Sequence, residues 1–84
     1  MSEIIFQTSI MGFKVTVFTN RIEYKEWLTK RVIPISEIAS IEVAMIGVQE
    51  IILETTGGRK YKILVRLRDK NQLVEAINKA RYGE

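Results

Sequence analysis

The 84-residue sequence predicts a mainly β fold of about seven short strands followed by one C-terminal helix. Three observations carry that expectation. Apolar and polar residues alternate along most of the chain up to Leu67, as in strands with one buried face. Turn signals at Asn20 and at Gly57-Gly58 each separate two runs that alternate in phase. After Asp69 the apolar period lengthens to that of a helix.

Residues 3–9 read as the first strand, with Ile4, Phe6 and Thr8 on one face, and Ile10-Met11-Gly12 as a short apolar connection. Residues 13–19 set Phe13, Val15 and Val17 against Lys14, Thr16 and Phe18. Asn20 tolerates the left-handed backbone of a tight turn. A two-residue loop there pairs Val17 with Ile22 and Val15 with Tyr24, which keeps one face apolar. The strand over 21–28 places Ile22, Tyr24 and Leu28 in phase. Trp27 then falls on the opposite face, beside Arg21, Glu23 and Lys25. Such a Trp either packs at a rim or marks a contact surface. Thr29-Lys30 is expected to turn the chain into a strand over 31–35. Pro34 cannot donate to a ladder, so that strand lies at an edge or ends there. Ser36-Glu37 begins a brief turn from which Ile38 plugs the core. A strand over 40–44 follows, with Ile41 and Val43 in phase, and Met45-Ile46-Gly47 leads out of it.

The hairpin formed by strands 48–55 and 59–67 anchors the second half. A two-residue loop at Gly57-Gly58 would mix its faces. A three-residue loop, Thr56-Gly57-Gly58, pairs Leu53 with Tyr61 and Ile51 with Ile63, and makes Gly58 the left-handed residue of a bulged turn. It also sets Glu54 opposite Lys60, an ion pair of little worth if exposed. The helix is expected over 70–82. Asp69 is its N-cap, Gln72 completes a capping-box pattern, and Leu73, Val74, Ile77 and Ala80 form one apolar stripe. Glu75 and Lys79 pair four apart on its surface, and Gly83 stops it.

Composition excludes much chemistry. Mean hydropathy is +0.03, no run is long enough to span a membrane, and no charged-then-apolar leader opens the chain. A cytoplasmic location is therefore the expectation, with the membrane periphery as the alternative. Without Cys or His there is no thiol, no imidazole and no metal site built on either. The carboxylate pairs Glu23/Glu26 and Glu50/Glu54 have no sign of the pocket that acid–base catalysis needs. Gly57-Gly58 lacks the spacing of a phosphate loop and precedes a strand. No enzyme, cofactor or small-molecule substrate is expected. Nucleic-acid binding is not expected either, because Tyr61, the one aromatic among the late basic residues, falls on the inner face.

Charge is unevenly placed. Residues 1–58 hold five Lys/Arg against seven Asp/Glu, whereas residues 59–84 hold eight against three. The basic excess reads as a solvated edge that discourages sheet-to-sheet pairing, or else as an anion-binding patch. Candidate anion- or lipid-binding residues are Lys14, Lys25, Lys30, Arg31, Arg59 and Lys60. Candidate partner-binding residues are Trp27, Ile10, Met11, Val48, Ile52 and Leu64.

The order and local wording of the chain resemble a pleckstrin-homology-like (PH-like) domain, in particular its short bacterial and GRAM-like forms. The segments that carry the resemblance are Phe-Thr-Asn-Arg-Ile-Glu-Tyr (18–24), Ile-Pro-Ile-Ser-Glu-Ile-Ala-Ser-Ile-Glu-Val (33–43), Ile-Leu-Glu-Thr-Thr-Gly-Gly-Arg-Lys-Tyr (52–61) and Leu-Val-Glu-Ala-Ile-Asn-Lys-Ala (73–80). The resemblance implies one domain over 1–84, a barrel of two orthogonal antiparallel sheets capped at an open corner by the helix. It also implies a binding module. A protein partner or self-assembly is the first expectation, and anionic lipid the alternative. Phosphoinositide-binding members carry several Lys and Arg around the first hairpin loop. Ser9 to Gly12 is apolar here, with Lys14 beside it.

Overall fold

The computed structural model describes residues 3–43 and 49–83. The chain forms seven strands, β1 (Ile4–Ile10), β2 (Phe13–Phe18), β3 (Arg21–Glu26), β4 (Thr29–Pro34), β5 (Ile38–Val43), β6 (Glu50–Thr55) and β7 (Lys60–Leu64). A 3-10 turn (Ile35–Glu37) links β4 to β5, and helix α1 (Leu67–Tyr82) closes the fold. β1 to β4 make one antiparallel meander and β5 to β7 a second.

The two hairpin registers follow from burial. Val17 faces Ile22 and Val15 faces Tyr24, all four buried. Leu53 faces Tyr61 and Ile51 faces Ile63 across a three-residue turn. In that turn the Gly58 N–H donates to the Thr55 carbonyl at 2.9 Å, and Gly58 has φ +85°, which a side chain rarely adopts. Between the sheets lies one core, in which Ile22, Ile33, Ile51, Leu53, Ile63, Leu73 and Ile77 are buried completely.

Four local expectations are corrected. Ile5 is the extra residue of a bulge between Ile4 and Phe6, so Ile4 leaves the apolar face and is exposed, while Phe6, Thr8 and Ile10 face inward. β3 ends at Glu26, and Trp27-Leu28 is the turn. Glu26 pairs with Thr29, so Leu28 projects from the fold instead of sharing the core with Tyr24. α1 begins at Leu67, which is exposed, and its N-cap Arg66 makes no side-chain cap. Asp69 lies inside the first turn, where it complements the helix dipole and accepts a 2.8 Å hydrogen bond from the Thr8 hydroxyl. Glu54 does sit opposite Lys60, yet its carboxylate accepts from the Ser40 hydroxyl at 3.4 Å and makes no ion pair among the described residues. At the other end of α1, Gly83 takes the left-handed conformation, and its N–H donates to Lys79 as a helix stop should.

The two sheets are not closed into a barrel. Their seams are bridged by side chains: Arg66 Nε donates to the Ser9 carbonyl at 3.0 Å, and the Tyr24 hydroxyl accepts the Leu64 N–H at 3.1 Å. α1 fills the remaining opening with Leu73, Ala76 and Ile77.

Candidate functional site

Two hairpin turns lie side by side at one end of the first sheet. Met11-Gly12 joins β1 to β2, with Ile10 opposite Phe13, and Trp27-Leu28 joins β3 to β4. The Trp27 N–H donates to the Gly12 carbonyl at 3.2 Å and locks the turns together. The Trp27 ring lies against Gly12, where an added Cβ would come within 2.8 Å of it, and meets Phe13 edge-on at 5.7 Å. Phe13 in turn stacks on Tyr24.

What these turns display is unusual. Met11 is 70% exposed, Trp27 66% and Leu28 fully. Among the described residues, Met11 (φ 44°) and Trp27 (φ 52°) are also the non-glycine residues with positive φ. Two-residue hairpin turns favour Gly, Asn or Asp at such positions, because a bulky side chain costs about 1–2 kcal/mol in left-handed backbone. Local strain and exposed apolar area thus coincide at the same two side chains.

Cations surround this tip. The register sets Lys14 beside Lys25 and Lys25 beside Lys30, a row across the outer face of β2, β3 and β4 with neighbouring Cβ atoms ~5 Å apart. Lys30 is neutralised, since its Nζ reaches Glu23 at 2.9 Å, and Arg21 Nε holds the same carboxylate at 2.6 Å. The hydrogen bond from Lys30, then that from Arg21, holds the Glu23 carboxyl below the usual carboxylate range. Lys14 and Lys25 have no such partner among the described residues. Both border an open groove of about 500 Å³ together with Met11, Trp27, Leu28 and Arg66.

The remaining predicted site residues divide. Ile10 was expected at an exposed tip but is 8% exposed, because inward-facing Phe13 is its pair; it forms part of the groove floor. Ile52 and Leu64 are half-buried on the second sheet and do not join the tip. Val48 lies outside the described residues. Arg31, Arg59 and Lys60 gather elsewhere, in a cleft of about 320 Å³ between β4 and β7 with Tyr24 and Tyr61. Arg31 is exposed but shares the Tyr24 face, over the Tyr61 ring at 5.9 Å and on the opposite face from the lysine row. Leu28 and Arg66 are not among the lipid- or partner-binding candidates read from the sequence. Leu28 sits in a turn that has no Gly, Pro or Asn to announce it, and Arg66 joins the groove only through its bond to β1.

Among the described residues no cluster of acidic side chains is arranged to hold a metal ion, and no helix is long and apolar enough to cross a membrane. No family profile matches the chain, and no curated protein sequence matches it. In structure the chain is similar to the N-terminal PH domain of the human ARAP2 protein, with a TM-score of 0.61 at 18% identity over 99% of this chain and 79% of that one. The strand order, the C-terminal helix and this similarity make the fold PH-like.

Proposed function

We propose that this PH-like chain is a non-catalytic binding module whose two-turn tip docks on anionic membrane surfaces. One observation carries the reading: Met11 and Trp27 hold strained, positive-φ backbone while exposing large apolar side chains, and both flank Lys14 and Lys25, which have no ion-pair partner among the described residues. Residues held in such backbone cost about 1–3 kcal/mol each and cluster at sites that contact ligands. Apolar groups beside cations suit an interface where acyl chains begin below anionic headgroups. The groove is open and its cations are few, which fits a charged surface better than one specific headgroup. A protein partner or self-assembly, the first expectation from the sequence, has no single apolar patch built from the candidates Trp27, Ile10, Met11, Ile52 and Leu64 to support it. Ile10 is buried, and Ile52 and Leu64 lie on the other sheet.

Co-sedimentation with phosphatidylserine-containing and purely phosphatidylcholine vesicles tests the reading. Binding is expected only to the anionic vesicles, falling steeply between low and physiological salt. Lys14→Glu with Lys25→Glu should weaken it at least tenfold, and Trp27→Gly with Leu28→Ser should leave a weaker, wholly salt-sensitive remainder. Equal retention by neutral vesicles, or no retention at low salt, would overturn it.

A further inference from the structure

The cleft between β4 and β7 is separate from the tip, and its edge is unfinished. β7 ends the second sheet. The Thr55 N–H donates to Arg59 and the Val65 N–H to Gln49, so odd-numbered residues of this segment bond to β6. Even-numbered ones therefore turn their N–H and C=O away from β6. Leu64 obeys this parity, and its outward N–H is taken by the Tyr24 hydroxyl. The same groups of Lys60 and Lys62 have no partner among the described residues. They are held at strand spacing along the cleft, free to make up to four backbone hydrogen bonds.

The charges choose the occupant. Arg31, Arg59, Lys60 and Lys62 line the cleft against one carboxylate, Glu26, which reaches Arg31 only at 3.8 Å. A second copy pairing edge to edge would bring these cations against their own equivalents, a repulsive arrangement. An extended segment with alternating carboxylates would meet both the backbone donors and the cations, while Tyr61 flanks it with Arg31 above its ring. We propose that β7 accepts a short acidic peptide segment of a partner protein as an added strand over Lys60–Lys62, ended at Leu64 by Tyr24.

The test is a titration of the 15N-labelled full chain with the capped peptide Glu-Val-Glu-Val-Glu, followed by amide resonances and hydrogen exchange. Lys60 and Lys62 amides should shift and exchange at least tenfold more slowly at saturation. The change should vanish with Arg31→Glu plus Arg59→Glu, two exposed positions, and should persist with Lys14→Glu plus Lys25→Glu, which separates it from the membrane reading. A peptide N-methylated at alternate residues keeps the charge and loses the backbone bonds, so it should bind at least tenfold more weakly. Equal binding of the N-methylated peptide, or shifts confined to Lys14 and Lys25, would overturn the proposal. So would protection of Lys60 and Lys62 by phosphatidylserine vesicles in place of the peptide.

Discussion

The hydroxyl of Tyr24 on β3 accepts the backbone N–H of Leu64 on β7 at 3.1 Å, so a side chain of the first sheet completes the edge of the second. Burial pushes the Tyr24 hydroxyl above its ordinary pKa, partly offset by the Leu64 bond. Tyr24→Phe keeps the ring and strands the Leu64 donor. It should cost about 1–2 kcal/mol in denaturant unfolding. Hydrogen exchange at Leu64 should accelerate more than at Ile63, whose N–H faces β6. Because the folded pKa is raised, this tyrosine's share of stability is complete below about pH 10 and is lost above it.

Glu23 gives the opposite pH dependence. Its pKa is lowered in the folded state, so its contribution is present above about pH 4.5 and is lost as pH falls through the folded value. Glu23→Gln should therefore reduce the difference between urea midpoints at pH 7 and pH 3. It also frees Lys30, so the same variant should bind phosphatidylserine vesicles more tightly than the parent. A single substitution that weakens the fold and strengthens binding would tie the lysine row to the surface it meets.

Gly12→Ala tests the packing of the tip. At φ +85° an alanine is strained by about 1–2 kcal/mol, and its Cβ would meet the Trp27 ring at 2.8 Å. The ring is the element that can yield. The expected outcome is a lower Tm with red-shifted Trp fluorescence, since Trp27 is the chain's single tryptophan.

Asp69→Ala removes both the Thr8 hydrogen bond and a charge favoured in the first turn of α1. A loss of about 1–2 kcal/mol is expected. Thr8→Val alone should cost less. The double mutant should show coupling in a thermodynamic cycle, whereas a purely local helix effect would give additive losses.

What could be read from the sequence is set by locality. The Val17–Ile22 and Leu53–Tyr61 registers were legible because alternation and a turn residue specify them within about ten positions. The turn at Trp27-Leu28 was not, because its sequence continues the strand pattern and its Trp takes a backbone normally left to Gly or Asn. Asp69 looked like an N-cap because Gln72 follows at the right spacing, but its partner is Thr8, sixty-one positions away. Lys14 opposite Lys25 follows from the legible β2–β3 register, but the placing of Met11 and Trp27 side by side in one tip does not. That joining of the two turns rests on the Gly12–Trp27 hydrogen bond, for which neither segment carries a local signal.

The position of α1 also bears on synthesis. Leu73 and Ile77 are fully buried against strands made at the start of the chain, and Arg81 donates to the Ala39 carbonyl across the fold. A ribosome adding about 5–20 residues per second therefore exposes both meanders, with their inner faces wet, for seconds before the helix arrives to cover them. β4 and β7 are edges that those sheets present, and the proline ending β4 and the lysines on β7 are features that disfavour pairing with the sheet of another chain.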